Sequence, residues 1–430
     1  MSRSPAGAGP QPGREIHPLD SAGLTCRFCA APLRDTFADL GMTPLCQKQV
    51  KPSQLNDAET YYPLHAFVCA SCWLVQLGEY ASPREIFADE YAYFSSYSDT
   101  WLAHAKAYTG KMRGLLGLGA SSLVVEIASN DGYLLQYFVE AGVPVLGVEP
   151  AANVAEAARA KGVPTEVRFF GTESARALRD AHGGADLLLG NNVLAHVPDL
   201  NDFVAGMCIM LNPAGVITME FPHLVQLVNQ NQFDTIYHEH FSYFSFTTVE
   251  KVFAAHGITL FDVEELPTHG GSLRIYGRHC DDRPVSDRVR ELKAREEAWG
   301  VRSLARYHAF NEQLRATKRN ILSFLIEARG AGKRVAGYGA PGKGNTLLNY
   351  CGIGTDFLEF TVDRSPHKQN TFTPGMRIPI YAPERIRLAR PDYLFILPWN
   401  LKEEIMRQTA YIREWGGRWV VPIPEVTVHE

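Results

Sequence analysis

Long apolar runs are missing from this chain. None approaches the roughly 18 residues that a membrane-crossing helix needs, so no membrane span is expected. Positive charge is not in excess either: 42 Lys and Arg face 47 Asp and Glu, a net charge of −5. That balance lacks the basic footprint of a nucleic-acid or membrane-surface binder. Residues 1–20, rich in Pro and Gly, have no apolar core of the kind an export signal carries. They are expected to form a disordered tail, and the chain is expected in the cytoplasm. Glycine is scarce where a dinucleotide-binding turn would want it, since only Gly132 falls in the turn after the first buried apolar run. The rest is ordinary for a globular protein, with 46% hydrophobic and 21% charged residues. A chain of 430 residues has room for about two to four domains.

The stretch Leu123–Pro150 organises the reading. Leu123-Val124-Val125 is a short apolar run, predicted to be a buried strand. Glu126-Ile127-Ala128-Ser129-Asn130-Asp131-Gly132 is predicted to be the turn, Tyr133–Ala141 a helix, and Val145–Val148 a second strand that ends at Glu149. Ligands bind at the carboxyl ends of strands in such β-α-β units. Without glycines to admit a pyrophosphate, the turn makes no phosphate cradle, whereas a leading acid, a small-residue turn and a distal acid suit a cationic nucleoside. Ala185–Gly190 is predicted to be a further strand, leading into Asn191, Asn192 and His196. Leu211–Glu220 is predicted to be a turn followed by another.

Two C-x-x-C pairs, Cys26/Cys29 and Cys69/Cys72, flank residues 30–68. Four thiolates make a closed tetrahedral zinc site with no open position, hence a structural metal; two disulfides are the alternative, disfavoured in a reducing compartment. Tyr91 and Tyr93 sit among serines and aromatics and suit either a lid over a polar ligand or plain packing. Tyr237-His238-Glu239-His240 concentrates proton-transfer groups. A histidine takes up a proton near neutral pH, a carboxylate orients it, and a phenol donates to a developing oxyanion. Thr268–Arg274, with His269 and Gly270, is a polar loop that can line the same cleft. Residues 282–327 are charged and helical and are predicted to be a linker. Beyond them Gly337, Gly339 and Gly342 satisfy G-x-G-x-x-G, and Gly337–Lys343 also satisfies the front of a P-loop, with Gly344 where a Ser or Thr belongs. A dinucleotide site and a diphosphate site both stay open, with Lys343, Arg364 and Lys368 as the neutralising cations.

Together these motifs resemble the sugar C-methyltransferases that act on nucleotide-linked deoxysugars. The resemblance rests on the double C-x-x-C, on Val125–Gly132, on Glu239-His240-Phe241, on His269-Gly270-Gly271, on Gly337-Tyr338-Gly339-Ala340 and on Lys368-Gln369-Asn370 with Thr373-Pro374-Gly375. Many class I methyltransferases carry glycine where this chain has Ala128. The resemblance implies an α/β fold: a class I S-adenosylmethionine (SAM) methyltransferase core of Rossmann-like type over 86–281, an N-terminal zinc-binding domain over 21–85, and a second Rossmann-like domain over 328–430. SAM would contact Glu126, Ala128, Asn130, Asp131, Gly132, Glu149, Asn191 and Asn192. The implied substrate is a dTDP-4-keto-deoxysugar methylated at C-3. His240 would be the base and Glu239 its support. Tyr237 and His196 would lie at the C-4 oxygen, and Tyr91, Tyr93, His269, Gly270 and the three cations would hold the substrate. The family suggests a monomer. An O- or N-methyltransferase of the same fold, an NAD-dependent enzyme and a non-catalytic nucleotide-sugar-binding zinc protein are the rival readings.

Overall fold

The computed structural model describes residues 23–81, 94–281 and 283–430. Tyr91 and Tyr93 lie outside the described residues. Strands β1 (Asp35–Thr43), β2 (Tyr62–Val68) and β3 (Val75–Leu77) form an antiparallel meander. The first C-x-x-C turn precedes β1 and the second joins β2 to β3.

The second sheet begins with β4 (Val124–Ile127), β5 (Val145–Val148), β6 (Thr165–Glu166), β7 (Ala185–Asn191) and β8 (Leu211–Pro222). These five are parallel, and β4 and β5 are buried along their whole length. Burial at every position, on Val, Leu and Ile with Glu126 and Gly147 between them, is what a sheet covered on both faces produces. Strand β9 (Ser242–Tyr243) then leaves this sheet and pairs with β3, so the first sheet has four strands. Strands β10 (Ile258–Leu266) and β11 (Ser272–His279) complete the second, in the order β10-β11-β8-β7-β4-β5-β6 with β11 antiparallel to both neighbours. Connections reverse direction at β4, which lies between β5 and β7; the crevice at such a switch point is where open α/β sheets take their ligands.

The third sheet contains β12 (Val335–Tyr338), β13 (Thr361–Val362), β14 (Thr371–Phe372), β15 (Pro379–Tyr381), β16 (Tyr393–Ile396), β17 (Arg418–Val421) and β18 (Thr427–His429). Its order is β14-β15-β13-β12-β16-β17-β18, parallel except at the two edges. A second switch point falls at β12, where the glycine loop begins.

The segment predicted to be a linker is helical, Asp287–Trp299 and Leu304–Gly330, but it is not a spacer. Val289 and Leu292 pack into the core of the second sheet. Tyr307, Phe310, Leu314, Ile321 and Leu325 pack into the core that joins the first and third sheets. Their spacing of three, four or seven residues is an apolar stripe, hidden in the sequence by the dense charges on the other faces. Glu296 is buried and accepts hydrogen bonds from His223 Nε2 (2.8 Å) and from the backbone N–H groups of Phe246 and Thr247. Among the described residues no helix is long and apolar enough to cross a membrane.

Candidate active site

The two C-x-x-C turns fold alike. Ala30 N–H donates to Cys26 O and Trp73 N–H donates to Cys69 O, and Ala30 (φ 59) and Trp73 (φ 71) both turn through the left-handed region. This brings the sulfurs of Cys26, Cys29, Cys69 and Cys72 within 4.8 Å of one another. The Cys26–Cys72 and Cys29–Cys69 contacts are 3.5 Å, too long for a disulfide. Zinc–sulfur bonds of about 2.3 Å set tetrahedral edges of about 3.7 Å, so the donor set fits zinc. Arg27, inside the first turn, donates to Pro198 O (2.7 Å) and Leu77 O (2.6 Å).

A cavity of about 730 Å³ opens at the β4 switch point. Ala128, Asn130, Glu149, Asn191, Asn192, His196, Tyr237, Glu239, His240, His269, Lys343 and Lys368, all anticipated as site residues, line it. The turn after β4 passes through the left-handed region at Ala128 (φ 56), Asn130 (φ 50) and Gly132 (φ 72), which keeps its backbone close to the cavity wall. Glu149 Oε2 accepts from Asn130 N–H (3.0 Å) and Oε1 from Ala151 N–H (2.9 Å). A carboxylate has about four lone-pair sites, so it retains acceptors for ribose hydroxyls. Burial pushes its pKa up to about 7, against the pull of those two N–H groups. Phe170, Val193, Val197 and Phe203 form an apolar arm of the cavity beyond it, suited to a flat purine.

His240 lies in the turn that follows Thr235. Its Nδ1 is 2.8 Å from Thr235 O. A carbonyl only accepts, so Nδ1 carries the hydrogen, and the neutral ring presents Nε2 as a bare lone pair. The Tyr237 ring lies 4.0 Å away and that of His196 meets it edge-on at 4.7 Å. Burial first, then repulsion from a protonated His196 and from Lys343, hold the His240 pKa well below the usual imidazole value. Burial alone takes His196 down to about 4. His269 (φ 54) accepts at Nε2 from Asn192 Nδ2 (2.9 Å) and packs against Trp101 at 5.2 Å. Burial and Lys343 lower it to about 4. All three imidazoles are therefore neutral near pH 7.

Models of three domains match the chain: the C-methyltransferase C-terminal domain over residues 267–424, a zinc binding domain over 26–87 and a methyltransferase domain over 104–263. C-methyltransferase NovU of Streptomyces niveus is 36% identical over 420 residues, covering 96% of this chain and 97% of that protein. The chain belongs to the C-methyltransferase family. An uncharacterized methyltransferase of Mycobacterium leprae is 30% identical over 99 residues, 23% of this chain and 36% of that one. Among solved structures, magnesium protoporphyrin IX methyltransferase from Synechocystis PCC 6803 with bound SAH is 14% identical with a TM-score of 0.34, covering 46% of this chain and 92% of that one.

This C-methyltransferase uses SAM and carries zinc on its four cysteines; the turn after β4, Glu149 and the apolar arm fit the former. Several anticipated positions lie elsewhere. Glu126 is buried beneath the turn beside Tyr133, outside the cavity lining, and burial raises its pKa well above the carboxylate range. Asp131 pairs with Lys161 (2.8 Å) and Gly132 packs against Val163, so both shape the turn from behind. Gly270 accepts from Gln232 Nε2 (2.6 Å) and backs the loop rather than facing the cavity. Arg364 points outward to Glu404 (3.6 Å). Glu239 does not hold His240: its carboxyl faces Cys46 Sγ (3.7 Å), feels Lys368, and burial pushes it up to about 7. Neighbouring side chains in a turn diverge, which leaves the Thr235 carbonyl to orient the ring. His238 Nε2 donates to Pro63 O (3.1 Å), away from the cavity.

The glycine loop of the third sheet is braced by its own neighbours. Asp363 accepts from Ala340 N–H and Ser365 N–H, each at 2.8 Å, and Lys368 Nζ donates to Ala340 O at 2.9 Å. Residues that sequence reasoning passed over complete the cavity. Trp101 and Tyr133 lie beside the SAM turn, the Thr235 carbonyl orients His240, and Asn400 holds Lys343. Asn400 follows a parallel strand at its carboxyl end, the one local signal that could have found it.

Proposed function

We propose that this enzyme methylates C-3 of a nucleotide-linked 4-keto-6-deoxysugar, dTDP being the nucleotide the sequence resemblance favours. The observation that carries the reading is His240, its Nδ1 tied to the Thr235 carbonyl so that Nε2 is left as the basic nitrogen, lining the same cavity as the turn after β4. A ketone at C-4 acidifies the C-3 proton, and a neutral, fixed imidazole is the group to take it. Bound SAM supplies an electrophilic methyl group. Tyr237 and His196, both against the His240 ring, stand where the sugar oxygens would be held.

A His240→Asn variant tests the reading. Methyl transfer is expected to fall by about 10²–10⁴-fold, with loss of solvent deuterium exchange at C-3 of the keto sugar and unchanged affinity for S-adenosylhomocysteine. Exchange at the wild-type rate would remove His240 from the role of base.

A further inference from the structure

The third sheet ends its first strand in a glycine loop, and the helix that follows, Gly342–Cys351, begins at the shared cavity. Pro341, Gly342 and Lys343 all line that cavity. The loop cannot open easily toward a nucleotide: a Cβ on Gly339 would come within 2.6 Å of Pro398, and Lys368 and Asp363 already hold the peptide groups of Ala340. What the loop does achieve is to set Lys343 against the wall that carries the histidines.

Lys343 is half-buried in the cavity wall. An ammonium group has three donors. Among the described residues Nζ makes one hydrogen bond, to Asn400 Oδ1 at 2.9 Å, and lies over the Trp399 ring at 4.9 Å. Its counter-charge, Asp234, is engaged with Trp399 Nε1 at 2.7 Å, so the indole fixes both. Among the described residues the remaining N–H donors have no acceptor, and they belong to a cation whose charge reaches His240 and His269. A half-buried cation with unused donors, lining the same cavity as a neutral base, is an arrangement suited to an anion that forms during reaction.

We propose that Lys343 is a catalytic residue that donates a hydrogen bond to the C-4 oxygen of the keto sugar and stabilises the enolate, an assignment that rests on the C-3 methylation reading above. The C-3–H bond breaks and its proton passes to His240 Nε2. The electron pair forms the C-3=C-4 double bond while the carbonyl π pair moves onto the C-4 oxygen, held by the ammonium. The carbonyl then re-forms as C-3 bonds to the methyl carbon, and the S–CH3 pair stays on sulfur. Proton transfer creates an imidazolium and an enolate together, so the cation that discourages a proton on His240 alone no longer opposes it once the oxyanion appears. The third sheet thus serves the reaction by delivering a charge to the shared cavity.

The test is deuterium exchange at C-3 of a dTDP-4-keto-6-deoxysugar in D2O with S-adenosylhomocysteine bound, read beside steady-state methyl transfer. In wild type exchange proceeds. In Lys343→Met both exchange and kcat are expected to fall by about 10²–10³-fold, with KM for the sugar within about threefold and S-adenosylhomocysteine affinity unchanged. Lys343→Arg should recover part of the exchange. Should the Met variant fail to fold, Lys343→Gln keeps a donor beside Asn400 without the charge and should show the same loss. Exchange at the wild-type rate in Lys343→Met or Lys343→Gln overturns the proposal, as does a raised KM with unchanged kcat, the signature of a diphosphate-binding cation. Absence of exchange in wild type itself would overturn the enolate reading and this role with it.

Discussion

Ala128 occupies a backbone region that costs an alanine about 1 kcal/mol more than glycine, yet the turn needs it at φ 56. The small side chain keeps the turn passable. Its neighbour Glu149 has a sharper consequence. In the free fold burial raises its pKa to about 7 from an ordinary carboxylate value of 4.5. An acid raised in this way costs the fold stability as pH climbs from its unfolded value toward its folded one, and the cost is complete above pH 7. Ribose hydroxyls donate to the ionised form. Binding of S-adenosylhomocysteine should therefore strengthen as pH rises toward 7 and level off above it. Below that the change should be up to about tenfold per pH unit. Titration calorimetry from pH 5.5 to 8 checks this, with proton release in the lower half of the range. A Glu149→Gln variant that kept the same pH dependence would remove Glu149 as its source.

At the level of elements, the zinc turn and the catalytic turn are tied together. Strand β3 continues from the second C-x-x-C pair and pairs with β9, and Leu77 N–H donates to Phe241 O (3.0 Å), directly after His240. Arg27 adds a second tie, bonding the carbonyl of Pro198, two residues from His196, and lying over the Phe241 ring at 5.3 Å. Hydrogen bonds from a charged donor contribute about 1.5–3 kcal/mol each, so Arg27→Met should destabilise the protein by about 3 kcal/mol. Zinc content and S-adenosylhomocysteine affinity should be retained while kcat falls, because the ties of both histidine turns are loosened. Denaturant unfolding and metal analysis measure the two halves of this expectation. An unchanged unfolding midpoint would mean that the two turns are held without Arg27.

Across the whole molecule the cavity is a joint product: Gln47 comes from the first region, the SAM turn and histidines from the second, and Lys343, Lys368 and Asn400 from the third. One hydrophobic core runs from Phe37 and Leu64 through Leu227, Phe233 and Ile236 to Leu348 and Trp419. A chain cut after Asp281 would leave Leu224, Leu227, Phe233 and Ile236 without the part of this core that lies beyond the cut. Each such side chain contributes about 1.5–3 kcal/mol on burial. The truncated protein is expected to aggregate and to bind no S-adenosylhomocysteine; a monomeric, ligand-binding fragment on size-exclusion chromatography would contradict this.

Sequence by itself determined the features whose causes are local. The C-x-x-C spacing sets two knuckles, apolar runs bounded by turn residues set strands such as Val145–Val148, and an acid directly after such a strand falls in the cavity wall. These depend on neighbours a few positions apart. Tertiary structure alone decided which way each polar group faces. Glu239 turns to Cys46, His240 takes the Thr235 carbonyl, Arg364 leaves for Glu404, and Lys343 enters the cavity beside Asn400. Most of those partners are remote in the chain, so no spacing rule reaches them; the direction of a side chain in a turn is set by what packs against it.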